Sequence, residues 1–168
     1  EDYSAELSVR MGRVLFVRRK AFSREADREN QLGSFALTLE ARDPYEWSAG
    51  ETVAPWAIDA DPSELGVSTS GTVDALPVIT LTPAADVTRP AVGDGARTLT
   101  YDGVVAAGQV LVFDAVQSRV TLDGADVTPY AVGDFPRIEP GGATLAYSDD
   151  DVEMPVVAGE VRFRDRWW

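Results

Sequence analysis

Short strands separated by turn residues dominate the sequence from Val67 onward. No segment between them carries the 3.6-residue hydrophobic period of an amphipathic helix, and Asp-Gly, Gly-Asp and Pro-Gly-Gly groups fill the breaks. These groups favour turns because Gly and Asp tolerate positive φ. The sequence therefore predicts an all-β chain that ends in an antiparallel β-sandwich. The predicted strands cover residues 77–82, 97–101, 109–114, 118–123, 143–147 and 159–166.

Strands are also predicted before the sandwich, over residues 3–9, 12–18 and 34–41. In the last of these, Phe35, Leu37 and Leu39 alternate with small or polar residues, the period of a strand. Residues 23–30 are polar and are predicted to form a short helix or an exposed loop. Because the chain opens on a strand rather than on Met or a secretion signal, we expect these strands to belong to an incomplete N-terminal β-rich domain.

A segment rich in Pro, Gly, Ala and acidic residues follows and shows no steady period. It predicts a connection over residues 48–66, which divides the chain into domains at 1–47 and 67–168. We expect Trp47 and Trp56 to anchor this connection against the domains. The alternative for Trp56, stacking on a sugar ring, is the weaker interpretation.

Charge is unevenly distributed along the chain, whose net charge is -13. Residues 1–47 carry a net charge of -1, residues 48–161 carry -14, and residues 162–168 carry +2. A chain with so large a negative charge repels phosphate groups. Nucleic acid and anionic membranes are therefore excluded as expected partners. A basic stretch that contains Arg18, Arg19, Lys20 and Arg24 is predicted to be a solvated loop, with an interface as the alternative.

The sequence contains neither Cys nor His. Disulfides, thiolate nucleophiles, most hydrolase triads and most zinc sites are therefore excluded, and only carboxylates remain for acid–base work. No carboxylate pair stands out, so we predict no catalytic, cofactor or metal site. The run Asp149 to Asp151 with Glu153 could hold a hard cation, but a solvated acidic turn is the favoured interpretation. Gly93-Asp94-Gly95 predicts a turn.

The closing strand has two chemically different faces. Alternation places Val161, Phe163 and Trp167 on one face and three arginines on the other. We predict that the aromatic face is core and that the arginine face is an interface held by carboxylates of the same sandwich or of a neighbouring subunit. The arginines are Arg162, Arg164 and Arg166.

The order of five segments resembles that of phage distal tail proteins of the siphovirus-type tail component family. The segments are "FALTLEARDPYEW", "STSGTVDALPVITLTP", "TLTYDGVVAAGQVLVFDAVQSRVTLDGADVT", "VGDFPRIEPGGATLAY" and "VRFRDRWW". The resemblance implies a belt domain that forms a hexameric ring at the end of the tail tube, followed by a galectin-like, jelly-roll type sandwich. Residues 1–47 then correspond to the end of the belt domain. It also implies a virion protein of the tail tip, assembled in the host cytoplasm, with tail tube protein and tail-tip hub or fibre proteins as partners.

Three functions stay open at this point. A structural tail-tip protein without cofactors is favoured. A carbohydrate-binding module for host adsorption is second, although galectin-type sites use His and Asn, and this chain has no His and only Asn30. A glycosidase that uses carboxylates alone is third and would need two acids facing one cleft.

Overall fold

The computed structural model describes residues 4–27, 32–41, 43–151 and 156–168. Within these ranges the chain is built from β-strands and one 3-10 turn (Thr128–Tyr130). It divides into two compact units: the first runs up to Ala49 and includes Trp167–Trp168, and the second is Gly50–Arg166. The prediction of an all-β chain is confirmed.

The second unit is an antiparallel β-sandwich of a five-stranded and a six-stranded sheet. Their strand orders are β15-β10-β9-β16-β6 and β14-β13-β12-β7-β17-β5, and β8 and β11 form a separate pair. The strands are β5 (Thr52–Ile58), β6 (Ser63–Val67), β7 (Val78–Pro83), β8 (Val87–Thr88), β9 (Ala91–Gly93), β10 (Thr98–Tyr101), β11 (Val104–Val105), β12 (Leu111–Asp114), β13 (Arg119–Leu122), β14 (Ala125–Asp126), β15 (Ala131–Gly133), β16 (Ala143–Ser148) and β17 (Val157–Phe163).

Alternating side chains of both sheets form one core. In β7, for example, Ile79 and Leu81 are buried while Thr80 and Thr82 face outward, as a half-buried strand requires. Phe113 of the six-stranded sheet and Tyr147 of the five-stranded sheet are among the largest fully buried side chains. This packing explains why the strand pattern after Val67 could be recognised in the sequence.

Asp123-Gly124 makes the tight turn that the sequence predicts between two strands. Both residues have positive φ, 49° and 81°, and they connect the antiparallel pair β13 and β14. Two consecutive positive φ angles match the twist of a two-residue hairpin. The Asp123 carboxylate also accepts hydrogen bonds from the Gln109 side chain and from the Val110 N–H, at 2.9 and 2.8 Å, which ties the turn to the residues just before β12.

The first unit contains one antiparallel sheet. Its strand order is β1-β2-β4-β18, with β3 paired to β2 beside β4. Trp47 is buried, and its ring meets the edge of Phe16 at a centroid distance of 5.8 Å. The strands are β1 (Ser4–Arg10), β2 (Arg13–Asp27), β3 (Leu32–Ala41), β4 (Glu46–Ser48) and β18 (Arg166–Trp167), of whose two residues only Trp167 belongs to the first unit.

The prediction that residues 48–66 form a connection between the domains is wrong for most of these residues. β5 pairs with β17 along all seven residues, and β6 pairs with β16, so both are edge strands of the sandwich. Pro55 lies in β5, where the outer edge needs no N–H donor. Proline and the small residues around it hid the alternation of Trp56 and Ile58, which are both buried.

The prediction of a helix or loop over residues 23–30 is also wrong as far as the structure describes them. β2 continues to Asp27 and pairs with β3 in register from Ala21 to Asp27. Residues 28–30 lie outside the described ranges. The segment was hard to recognise as a strand because its polar residues carry no apolar alternation.

Candidate interaction surfaces

A two-stranded arm extends the sheet of the first unit. β1 pairs with β2 only between Arg13 and Arg18, whereas the rest of β2 has β3 as its partner. Every described side chain in this arm from Arg19 to Glu25 is exposed, as are those of residues 33–39. A two-stranded ribbon with both faces in water is marginally stable by itself.

One face of the arm is apolar. Cross-strand pairing puts Phe22 opposite Leu37, and the rings of Phe22 and Phe35 stack with their centroids 6.4 Å apart. Phe22, Phe35, Leu37 and Leu39 are 55%, 75%, 49% and 37% exposed. We call these four residues the apolar face of the arm. Clustered exposed hydrophobic residues of this kind mark contact sites on soluble proteins.

The predicted basic stretch divides between the two faces of the arm. By register, Arg19 lies opposite Leu39 and Arg24 opposite Phe35, so both border the apolar face. Arg18 lies opposite Glu40 on the other face and donates to its carboxylate over 2.9 Å. Lys20, the extra residue of a bulge, lies 3.6 Å from the same carboxylate. The Arg18 hydrogen bond and the charge of Lys20 hold the pKa of Glu40 below its ordinary value.

The predicted arginine stripe of the closing strand is only partly correct. β17 ends at Phe163, and the chain resumes as β18 at Arg166, so the alternation is broken between them. Arg162 lies on the outer face and donates to Glu160 of the same strand. Arg164 is partly buried. Arg166 is buried and donates Nη1 to the Asp74 carbonyl oxygen at 3.0 Å, so it is no part of an exposed stripe.

The prediction for the apolar side of the closing strand is correct for two of its three residues. Val161 and Phe163 are buried in the sandwich core, as predicted. Trp167 is not in that core, because it belongs to the first unit, where the Arg13 guanidinium carbon lies 4.0 Å from its ring centre. This is the geometry of a cation–π contact.

Trp56 is not a sugar-stacking residue. Its side chain is 3% exposed, packs in the sandwich core and donates Nε1 to Ser63 Oγ over 3.2 Å. A stacking platform must present its ring face to solvent, which this burial prevents. The alternative interpretation of Trp56, stacking on a sugar ring, is therefore wrong.

The acidic run at residues 149–151 is tied into the protein by its own hydrogen bonds. Asp149 accepts from the Tyr147 hydroxyl at 2.8 Å, and Asp151 accepts from the Thr88 N–H at 2.7 Å. Asp150 pairs with Arg89 at 2.8 Å. Burial, followed by the hydrogen bond to Asp149, raises the pKa of Tyr147. Glu153 lies outside the described residues.

Asp94 is an organising residue that the sequence indicated only as part of a turn. Its carboxylate accepts the N–H groups of Ala96, Arg97 and Arg137 and the Arg97 guanidinium, at 2.7–2.9 Å. Partial burial by itself would raise the pKa of Asp94, but these donors together hold it below its ordinary value. The arrangement is structural, since the hydrogen bonds all close loops of the sandwich.

Two features of the described residues concern metal binding and membranes. No group of three or more His, Cys, Asp or Glu side chains within it is placed to hold a metal ion. None of its helical segments has the length and hydropathy to span a membrane. A distinctive surface feature of the described residues is the exposed apolar face of the arm.

Comparison with known proteins identifies the family. The model of the siphovirus-type tail component, C-terminal domain, matches residues 70–167, more than half of the chain. The chain therefore belongs to the siphovirus-type tail components and is a phage distal tail protein, a structural part of the virion tail. No curated protein matches the chain.

Among the solved structures that match, one is similar along the whole chain. It is the crystal structure of SPP1 Dit (gp 19.1), described as a paradigm of the hub adsorption apparatus in phages that infect Gram-positive bacteria. The TM-score is 0.72 at 13% sequence identity, with 100% of this chain and 66% of that chain covered. The chain thus spans slightly less than two thirds of that protein.

Proposed function

We propose that this protein forms a closed ring of six copies at the distal end of a phage tail, where it joins the tail tube to the tail tip or baseplate. The first unit, the end of a belt domain, makes the ring, and the galectin-like sandwich lies at its periphery. Its partners are further copies of itself, the tail tube protein and tail-tip hub or fibre proteins. Assembly takes place in the host cytoplasm, and the protein acts as a structural part rather than as an enzyme.

The apolar face of the arm is the observation that carries this proposal. Phe22, Phe35, Leu37 and Leu39 would remain in water in a single copy, at a cost of roughly 25 cal/mol for each Å² of apolar surface. Association between copies removes that surface from water. Cyclic symmetry closes such contacts into a ring of defined size, which suits the end of a tube. The hub role named for SPP1 Dit agrees with this position.

The alternative function, carbohydrate binding by the sandwich, has lost the one stacking residue that the sequence suggested for it. Trp56 was its candidate stacking residue and is buried. The only asparagine, Asn30, precedes the sandwich in the sequence. The galectin-like fold is therefore proposed as a scaffold, because a fold by itself does not define a binding function.

The mass of the protein in solution tests whether it forms a ring of six copies. The protein is expressed from its whole coding sequence. We expect light scattering to give the mass of six copies. Phe35→Ser should dissociate the ring, while Ala36→Ser, on the opposite face of the same strand, should leave it intact. A wild-type protein that is monomeric at micromolar concentration would contradict the ring.

Electron microscopy of virions labelled with an antibody against the sandwich tests the position. We expect label at the tail end that is distal to the head. Label along the whole tube, or at the head–tail junction, would contradict the proposed place. The two experiments are independent, because a ring can form in solution whatever its position in the virion.

A further inference from the structure

The sandwich is inserted, along the chain, into the sheet of the first unit. β4 ends at Ser48, the chain enters the sandwich at Gly50, and it returns to the first unit only at Trp167. β18, which carries Trp167, lies beside β4 at the edge of that sheet. The first unit is therefore built from two parts of the chain that the whole sandwich separates in sequence.

Aromatic and cationic contacts join the later part to the earlier one. The Arg13 guanidinium of β2 lies 4.0 Å from the centre of the Trp167 ring and also donates to Glu46 of β4 at 3.0 Å. The Trp168 ring meets Tyr45 edge-on, at a centroid distance of 4.6 Å. Arg13 thus connects three neighbouring strands, and a cation–π contact stabilises most where water is excluded.

The earlier part of the first unit buries little apolar surface. Among its described residues, the buried hydrophobic side chains are Val14, Val17 and Trp47. A sheet with so small a core is marginally stable, because apolar burial is the main favourable term that opposes the loss of chain entropy. Trp167, which is partly buried, adds one of the largest apolar side chains to this sheet.

Folding of the sandwich prepares the return of the chain to the first unit. β5 and β17 pair along their length with Thr52 opposite Phe163, so the folded sandwich holds its own entry and exit side by side. Arg166 is fixed as well, since its carbonyl oxygen accepts the N–H groups of Thr72 and Val73 at 2.9 and 3.2 Å. With the sandwich unfolded, the same two points end a long flexible loop, and the entropy cost of closing a loop rises with its length.

We propose that the folded sandwich acts as a template for the first unit: it holds the chain so that Trp167 binds β2 and β4, and this contact completes the sheet. The sandwich, which has a large core of its own, folds without the first unit. The first unit is complete only in copies whose sandwich is folded. Copies with an unfolded sandwich are thereby kept out of the ring, a consequence that rests on the proposed function.

Amide hydrogen exchange, measured by mass spectrometry on protein expressed from its whole coding sequence, tests the role of Trp167. We expect Trp167→Ala to speed exchange in residues 13–18 and 46–48 by about tenfold or more, because ring packing and the cation–π contact are lost. Exchange in residues 111–114 of the sandwich should not change. Trp167→Phe, which keeps an aromatic ring over Arg13, should restore most of the protection.

Two control variants separate this effect from other causes. Tyr130→Ala removes an exposed aromatic ring from the sandwich and should leave exchange in both units as in the wild type. Phe35→Ser, which is expected to dissociate the ring, shows how much protection the ring contacts give to the same peptides. Trp167→Ala is therefore also measured in the Phe35→Ser background, where the tenfold difference should persist.

Hydrogen exchange at increasing urea concentrations tests the order of folding and leaves Trp167 intact. Phe163→Ala, in the sandwich core, should lower the urea concentration at which the sandwich opens, and residues 13–18 should lose protection at that same lower concentration. Protection of residues 13–18 that survives the opening of the sandwich would overturn the inference. So would a Trp167→Ala variant whose first unit exchanges as in the wild type.

Failure of this inference can be told apart from failure of the proposed function. If light scattering shows six copies but Trp167→Ala exchanges as the wild type does, the template role is wrong and the ring stands. If the wild type is monomeric while Trp167→Ala still opens the first unit, the ring is wrong and the template role stands.

Discussion

The guanidinium of Arg166 is buried in the sandwich unit, with Nη1 3.0 Å from the main-chain oxygen of Asp74. Main-chain contacts reinforce this arrangement, since the N–H groups of Thr72 and Val73 donate to the Arg166 carbonyl oxygen at 2.9 and 3.2 Å. Arg162, four residues earlier, has a half-exposed side chain that pairs with Glu160. Two arginines of one predicted stripe thus have different roles.

Arg166→Gln should therefore destabilise the protein more than Arg162→Gln does. Loss of a buried, charged donor leaves a carbonyl oxygen unpaired and should lower the free energy of unfolding by about 1–3 kcal/mol. An exposed ion pair contributes less than about 1 kcal/mol. Urea unfolding of the two variants measures the difference. Equal losses would show that the Arg166 hydrogen bond does not stabilise the fold.

Much of the sandwich could be predicted from the sequence, because the alternation of apolar and polar residues and the turn residues between them are local patterns. β7 alternates buried Ile79 and Leu81 with threonines, and Asp123-Gly124 supplies the positive φ angles of a hairpin turn. β5 and β6 were missed for an equally local reason. Pro55 and the small residues near it conceal a strand that only pairing with β17 reveals.

The interaction surface was harder to predict than the fold. The sequence indicated the basic stretch and the strand that carries Phe35, Leu37 and Leu39. Alternation shows that one face of a strand is apolar, but it does not show whether the same chain covers that face. A local pattern likewise could not predict the break after Phe163, which places Arg166 in the interior.

Phe163→Ala tests whether the apolar face of β17 holds the sandwich together. Phe163 is 2% exposed and belongs to the core, so its truncation should cost about 3–5 kcal/mol of unfolding free energy. Val53→Ala, an exposed position on the neighbouring strand β5, should change stability by no more than about 0.5 kcal/mol. Thermal or urea unfolding compares them. Similar effects from both variants would contradict the assignment of the faces.

Asp94→Asn should weaken the sandwich at neutral pH and make it less sensitive to acid. The folded-state pKa of Asp94 is lowered, so its stabilisation is complete above the ordinary carboxyl pKa, about 3.9, and is lost as the pH falls through the folded value. We expect a loss of about 1–3 kcal/mol at pH 7 and a smaller further loss below about pH 4 than in the wild type. Urea titrations at several pH values measure this. Asp134→Asn, at an exposed carboxylate, controls for the loss of one negative charge. If both variants show the same dependence of stability on pH, the role of Asp94 is refuted.

Substitutions at two adjacent glycines distinguish the cost of backbone strain from the cost of steric overlap. Gly141 and Gly142 have φ angles of 97° and 133°, which side-chain-bearing residues rarely adopt. A Cβ on Gly141 would meet nothing within 4 Å, whereas a Cβ on Gly142 would lie 2.4 Å from the Val67 carbonyl oxygen. That carbonyl cannot move freely, because Val67 pairs with Ala143 in the β6–β16 ladder. Gly141→Ala should therefore cost about 1–3 kcal/mol from strain alone, and Gly142→Ala should cost clearly more. Urea unfolding measures both losses, and a Gly142→Ala variant as stable as Gly141→Ala would show that the β6–β16 edge yields to the added methyl group.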